Sequence, residues 1–172
     1  MHRILLCLLL GAGIFAPAQP ITNNQMSPEW KSFYERQKTL RDQATAALTV
    51  EYAREKSSDC AHANTTLDIN QCLATETATT QKSYEDYLNA MSALLRLKTP
   101  GPADPASTPD VAKEFDQAES QWSTYRDSQC QASSDRYFGG SIAPSAFLSC
   151  KLDLTRRHLH ELENLYNRFG VQ

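Results

Sequence analysis

Apolar residues recur at steps of three and four positions along most of the chain, which is typical of amphipathic helices. The first helix is predicted over residues 28–56, because Ser27-Pro28-Glu29 combines a hydroxyl N-cap, a proline at the first helical position and an early carboxylate. Its predicted apolar face comprises Trp30, Phe33, Leu40, Ala44, Ala47 and Leu48. A second helix is predicted to start at Thr65-Thr66-Leu67-Asp68, which has the spacing of a capping box. Its predicted inner face comprises Leu73, Thr77, Thr80, Tyr84, Tyr87, Met91 and Leu94.

Three prolines and a glycine between residues 99 and 108 predict a linker, after which Thr108-Pro109-Asp110 is predicted to open a third helix. The predicted inner face of this helix comprises Val111, Phe115, Ala118, Trp122, Tyr125 and Gln129. A turn follows, and a fourth helix restarts near Pro144 with a broad apolar stripe that predicts more than one neighbour. No stretch of five or more positions alternates valine, isoleucine, threonine or aromatic residues with polar ones, so no strand is predicted. The predicted fold class is all-α, an antiparallel helical bundle of three to four helices, and four if the first one docks.

The first 18 residues have the three parts of a secretory signal peptide. Arg3 supplies the positive charge, Ile4 to Phe15 form an apolar stretch too short to cross a membrane, and Ala16-Pro17-Ala18 predicts cleavage after Ala18. The mature protein is therefore predicted to reside in a periplasm or to be secreted. We divide the chain into a leader (1–18), an N-terminal extension with one amphipathic helix (19–58) and a helical disulfide domain (59–172).

The charge of the chain narrows the classes of partner. It carries 17 basic and 20 acidic residues, a net charge of −3, which becomes −4 when Arg3 leaves with the leader. This mild acidity disfavours nucleic acid and anionic lipid as partners, because both require a basic surface. It is compatible with a basic protein partner. We expect a protein partner, no membrane span and a monomer.

Four cysteines remain after removal of the leader: Cys60, Cys72, Cys130 and Cys150. An even number in a small exported chain predicts a disulfide framework. Of the three possible pairings, helix geometry favours Cys60–Cys72 and Cys130–Cys150, since an antiparallel hairpin brings the last two together. A metal site is disfavoured because Cys60, His62 and Cys72 fit no zinc spacing, and a redox role would require a C-x-x-C pair that the chain lacks.

Two blocks, each beside a cysteine, resemble a known family. One is Trp122 with Tyr125-Arg126-Asp127 and Cys130, and the other is the run Gly139-Gly140-Ser141-Ile142-Ala143-Pro144. Further matching segments are Asp59-Cys60, Thr65 with Asn70-Gln71-Cys72, Tyr87-Leu88-Asn89, Cys150, Leu154-Thr155 and Glu161-Leu162. From Asp59 to Tyr166, about 108 of 172 residues, the chain is similar to the LprI-type lysozyme inhibitor domain of exported bacterial proteins. One position departs from the family, which usually carries arginine where this chain has His158.

The resemblance implies a disulfide-bonded envelope protein that inhibits or modulates a peptidoglycan-cleaving enzyme such as lysozyme. The expected mechanism is occlusion, so we predict no enzymatic activity, no catalytic residue, no metal and no cofactor. A structural or adaptor subunit of an envelope complex is the alternative. A cell-wall hydrolase is disfavoured, because the sequence has no nucleophile, metal or oxyanion motif.

Two groups of residues are candidate partner contacts. Arg126 and Asp127 next to Trp122 resemble an interface hot spot. A structural role is favoured, in which Arg126 holds helix-end carbonyls, Asp127 pairs across the bundle and Trp122 fills the core. The second group, in the turn between the third and fourth helices, is Tyr137, Gly139, Gly140 and Ser141. The glycines allow close approach of a partner, or alternatively satisfy a left-handed helix cap. His158 and His160 are predicted to lie on the surface, on different faces of the fourth helix.

Overall fold

The computed structural model describes residues 26–57, 60–101 and 110–168. They form four helices: α1 (Pro28–Glu55), α2 (Thr66–Leu95), α3 (Val111–Asp135) and α4 (Ala143–Arg168). The predicted all-α fold with four helices is confirmed. The predicted leader and its cleavage site lie outside the described residues.

Local capping chemistry sets where the first three helices begin. The Ser27 hydroxyl accepts from the Trp30 N–H at the start of α1. At the start of α2, Thr65 accepts from the Asp68 N–H at 3.1 Å and Asp68 accepts from the Thr65 N–H at 3.2 Å, which completes the predicted capping box. The third helix begins later than predicted, because Asp110 rather than Thr108 is its N-cap and accepts from the Lys113 N–H at 3.0 Å.

The central pair of the bundle is α2 and α4. Asn70 of α2 meets Ser145 near the start of both helices, and Tyr84 lies beside His158 further along, so the two helices run in the same direction. The first helix packs antiparallel against α2, and α3 packs mainly against α4 and less against α2. Consecutive helices are therefore antiparallel, and α4 packs against both α2 and α3, which fits the prediction of more than one neighbour.

The hydrophobic core lies where α1, α2 and α4 meet, with one contribution from α3. Its buried members are Leu40, Ala44, Leu48, Tyr84, Tyr87, Ala90, Met91, Leu94, Phe115, Leu159 and Leu162. Three of these belong to α1, so the first helix docks on the bundle. The predicted inner face of α2 is confirmed from Thr80 to Leu94.

Both disulfides form as predicted, Cys60–Cys72 and Cys130–Cys150, with Cα–Cα distances of 5.7 and 5.4 Å. The first ties the loop after α1 to the first turns of α2, and the second joins α3 to α4. Because α2 and α4 are parallel and start side by side, the two disulfides lie at the same end of the bundle. We call this the disulfide end.

The predicted inner face of α3 is confirmed at Phe115 and Trp122, but elsewhere it is wrong by about one residue. Val111 and Tyr125 are exposed, whereas Ala112, Glu119 and Arg126 are buried. The buried stripe also includes Phe115 and Cys130. The reason is that α3 buries charged side chains that find partners on α2 and α4, while an apolar residue such as Tyr125 stays in solvent.

Candidate functional site

The chain turns between α3 and α4 at residues 136–142, which we call the α3–α4 turn. Backbone hydrogen bonds close it, from the Gly140 N–H to the Tyr137 carbonyl at 2.8 Å and from the Ala143 N–H to the Gly140 carbonyl at 3.2 Å. Gly139 has φ +77°, a left-handed conformation that favours glycine. A Cβ on Gly140 would lie 3.1 Å from the Tyr137 carbonyl oxygen. The two glycines thus permit a tight turn. The Cys130–Cys150 disulfide joins the two helices that this turn connects.

The α3–α4 turn presents apolar side chains to solvent. Phe138 is 93% exposed, and Tyr137 and Ile142 on either side are about half exposed. Leu67, in the first turn of α2 at the same end, is 64% exposed. Large exposed apolar side chains that cluster are a mark of interaction surfaces. Sequence reasoning singled out the turn but did not name Phe138 and Ile142 as contact residues, because large apolar side chains are usually buried.

A polar network lies beneath the turn, one helical turn back from Cys130. Arg126 is only 3% exposed, and its guanidinium donates to Gln81 Oε1 at 2.9 Å and to Thr155 Oγ1 at 3.2 Å. It also donates to Asp127 at 2.9 Å. Its guanidinium carbon lies 5.2 Å from the Trp122 ring centroid, within cation–π range. Arg126 therefore joins α2, α3 and α4 through side chains, not through helix-end carbonyls.

Asp127 pairs across the bundle as the structural interpretation predicted, with Lys151 Nζ 3.1 Å away on α4. Partial burial pushes its pKa upward, but hydrogen bonds from Arg126 and Lys151 outweigh that effect, so the pKa of Asp127 is lowered. The carboxylate is half exposed and stays ionised at neutral pH. Asp127 therefore serves as an ionic link between α3 and α4.

His158 continues the network and corrects one expectation, since it is not a surface residue. Its ring stacks on Trp122 with centroids 3.9 Å apart, and its Nε2 lies 2.9 Å from Glu119. Glu119 is buried and also accepts from the Tyr84 hydroxyl at 2.8 Å. The polar partner on α3 makes burial of the histidine possible. His160 points the other way, towards Glu55 of α1, so the two histidines do occupy different faces.

A second buried charge cluster fastens α1 to the bundle. Glu51 is fully buried and accepts from Thr80 Oγ1 at 2.6 Å, from Arg156 Nε at 2.8 Å and from Arg54 Nη1 at 2.7 Å. Arg54 also pairs with Glu76 of α2. We call Glu51, Arg54, Thr80, Glu76 and Arg156 the Glu51 cluster. It links α1, α2 and α4 close to the disulfide end.

The predicted contact residues thus fall into two groups. Tyr137, Gly139, Gly140 and Ser141 are exposed in the turn, while Arg126 is buried beneath it and Asp127 lies at the surface nearby. Contact of any of them with a partner remains a prediction. In residues 26–57, 60–101 and 110–168, no three histidine, cysteine or acidic side chains come together as metal ligands. No helix in that part of the chain is long and apolar enough to cross a membrane.

Comparison with known proteins connects this architecture to a family. A family described as "Lysozyme inhibitor LprI" matches residues 57–162, more than half of the chain. An uncharacterised protein of Rhizobium meliloti (strain 1021) is 30% identical over 117 residues, which cover 66% of this chain and 82% of that relative. No solved structure matches significantly. The matched residues contain both disulfides, the buried Arg126 network and the α3–α4 turn, and the chain belongs to the LprI family of lysozyme inhibitor proteins.

Proposed function

We propose that this chain is an exported binding protein that inhibits or modulates a peptidoglycan-cleaving enzyme such as lysozyme. Membership of a family named for lysozyme inhibition carries the proposal. The leader pattern and the two disulfides support export to an oxidising compartment, with cleavage near Ala18. The protein acts by occupying the enzyme's substrate cleft and performs no chemistry of its own.

The α3–α4 turn is the proposed contact. Aromatic side chains dominate the energy of protein interfaces, and Phe138 is nearly fully available to a partner. The turn is closed by its own backbone hydrogen bonds and held by Cys130–Cys150, so little conformational entropy is lost when a partner immobilises it. An exposed apolar turn that is already closed in this way suits contact with a concave cleft.

Electrostatics supports the same assignment. The net charge of −3, or −4 without Arg3, favours encounter with a basic enzyme. Asp127 adds little to this attraction, because its carboxylate is paired with Arg126 and Lys151. Arg126 itself supports the surface from beneath, since its guanidinium is enclosed by its partners.

The test is a turbidity assay of bacterial cell walls digested by several lysozyme types, with and without the oxidised mature protein. We expect one type to be inhibited, and Phe138→Ala to weaken that inhibition by about tenfold or more, as for an interface hot spot. The matched control is Tyr125→Ala, which removes an exposed aromatic side chain from the side of α3. Equal weakening by both variants, or no inhibition of any lysozyme, would refute the proposal.

One observation favours a structural or adaptor role in an envelope complex as the second candidate. Trp30, Phe33 and Tyr34 form an aromatic cluster on α1, with ring centroids 5.3–5.7 Å apart. This cluster lies outside the matched residues 57–162 and away from the disulfide end. Crosslinking in the native envelope distinguishes the two roles, because an adaptor gives a stable complex that Trp30→Ala disrupts and Phe138→Ala leaves intact.

A further inference from the structure

Exposed apolar side chains concentrate at the disulfide end of the bundle. Nine large apolar side chains are exposed among the described residues, and four of them lie at this end: Leu67, Tyr137, Phe138 and Ile142. The other five are spread over α1, α3 and α4. Three of the four belong to the α3–α4 turn, and Leu67 is the one that a different helix supplies.

The contact between α2 and α4 places Leu67 level with the turn. The Ser145 hydroxyl donates to Asn70 Oδ1, which fixes the register of these two parallel helices near their starts. Three residues earlier on each segment stand Leu67 and Ile142. Because each helical residue rises about 1.5 Å, these two lie at nearly the same height, one turn beyond the Asn70–Ser145 hydrogen bond.

The contact between α2 and α3 gives the same height and shows which side of α2 is involved. Arg126 donates to Gln81, and α3 runs antiparallel to α2. Leu67 stands fourteen residues before Gln81, and Gly140 of the turn stands fourteen residues after Arg126. Fourteen residues are about 3.9 helical turns, so Leu67 projects from the same side of α2 as Gln81, the side that faces α3. Both registers therefore make Leu67 a neighbour of the α3–α4 turn.

The segment that carries Leu67 is held as firmly as the turn. Thr65 and Asp68, on either side of it, exchange the two capping-box hydrogen bonds at 3.1 and 3.2 Å. Five residues further along, Cys72 ties α2 to Cys60. A surface that is fixed before binding loses little conformational entropy when a partner covers it. Each half of the exposed apolar surface thus has its own disulfide.

We propose that Leu67 and the α3–α4 turn form one contact surface, in which Leu67 is a second anchor beside Phe138. The choice of partner, a peptidoglycan-cleaving enzyme, rests on the proposed function. Clustered exposed apolar side chains mark interaction surfaces. The two anchors project from neighbouring elements, and the axes of packed helices lie about 8–10 Å apart, so the partner needs an apolar site longer than that separation. The cleft of an enzyme that cuts a linear glycan is elongated and open, whereas a pocket for one small molecule would admit only one anchor.

Leu67→Asp tests the second anchor in the turbidity assay, with a lysozyme that the oxidised mature protein inhibits. Position 67 lies in the first turn of α2, where a carboxylate favours the helix, so the variant should fold like the wild type in thermal unfolding. We expect inhibition to weaken by about tenfold or more, because the anchor is lost and a charge is placed in the interface.

The matched control is Val111→Asp, which makes the same change at an exposed apolar residue at the opposite end of the bundle. This variant should inhibit like the wild type. A folded Leu67→Asp variant that inhibits as well as the wild type would overturn the proposal, and so would equal weakening by Val111→Asp.

Site-specific photocrosslinking separates failure of this inference from failure of the proposed function. If the wild type inhibits no lysozyme, the proposed function fails, and p-benzoylphenylalanine is then placed at Leu67, Phe138 or Val111 and exposed to envelopes of the producing bacterium. Capture of the same protein from Leu67 and Phe138, competed by the unmodified chain and absent from Val111, supports the two-part surface with a different partner. Capture from Phe138 alone, of different proteins from the two positions, or of none, overturns it.

Discussion

The replacement of Glu51 by glutamine tests whether α1 is held to the bundle by charge. Glu51 has no exposed surface and accepts three hydrogen bonds, two of them from the guanidinium groups of Arg54 and Arg156. Glutamine has nearly the same shape but carries no charge and turns an NH₂ donor towards one of its partners. The substitution therefore perturbs the electrostatics and leaves the packing almost unchanged.

The expected loss of stability follows from the surroundings of the two arginines. Removing one member of a buried ion pair costs about 3–5 kcal/mol. Arg54 and Arg156 are 20% and 13% exposed and both remain near Glu76, so the lower end applies. We expect Glu51→Gln to lower the free energy of unfolding by about 3 kcal/mol, which is roughly 6–12 °C in Tm for a domain of this size.

Urea unfolding followed by circular dichroism measures that loss, and hydrogen exchange shows where it acts. Amide protection should fall most in α1, which the Glu51 cluster fastens to α2 and α4. Glu35→Gln, an exposed change on the same helix, is the control and should alter stability by less than about 0.5 kcal/mol. If Glu51→Gln also stays within that range, the apolar contacts of Leu40, Ala44 and Leu48 alone dock α1 and the reasoning is wrong.

Three further changes give expected outcomes. Replacing Cys130 and Cys150 by alanine opens a loop with a sequence separation of 20, which should cost about 3.3 kcal/mol by the chain-entropy relation in a denaturant titration. Gly139→Ala should cost about 1–2 kcal/mol, measured in the same way, because φ is +77° and no neighbouring atom crowds the added Cβ. The lowered pKa of Asp127 gives stability that is present above its unfolded pKa of about 3.9 and is lost as pH falls through the folded value. Asp127→Asn should therefore flatten the acid limb of the stability profile, with an effect of about 1 kcal/mol at neutral pH, because the Asp127 carboxylate is half exposed and Arg126 keeps its hydrogen bonds to Gln81 and Thr155.

The helices and both disulfides could be predicted from sequence because their determinants are local. Ser27, Thr65 and Asp68 cap helices through residues only three positions away. The pairing of Cys130 with Cys150 follows from an antiparallel hairpin, which a short turn imposes. The start of α3 was predicted two residues too early. Thr108 was expected to be the N-cap, but the carboxylate of Asp110 caps the helix.

The inner face of α3 could not be predicted in the same way. Polarity alone places Glu119 and Arg126 in solvent and Tyr125 in the core, and the structure does the opposite. Burial of these charges depends on Tyr84 and Gln81 of α2 and on His158 and Thr155 of α4, which lie 29–45 residues away in sequence. Such pairing is visible only once the helices are assembled.

The candidate site was likewise predictable where local sequence determines it and not where assembly of the helices does. The glycines and flanking cysteines identified the α3–α4 turn, but the exposure of Phe138 could not be inferred because phenylalanine is usually buried.

The α3–α4 turn lies inside the loop that the Cys130–Cys150 disulfide closes, and this determines what proteolytic cleavage of the turn would do to the protein. Tyr137 and Phe138 are exposed aromatic residues, so proteases that cut after aromatic side chains can reach them. A cut there would produce new chain ends, yet the disulfide would keep α3 and α4 covalently joined around them. Two nicked halves would remain one molecule, so cleavage in this exposed turn would release neither half.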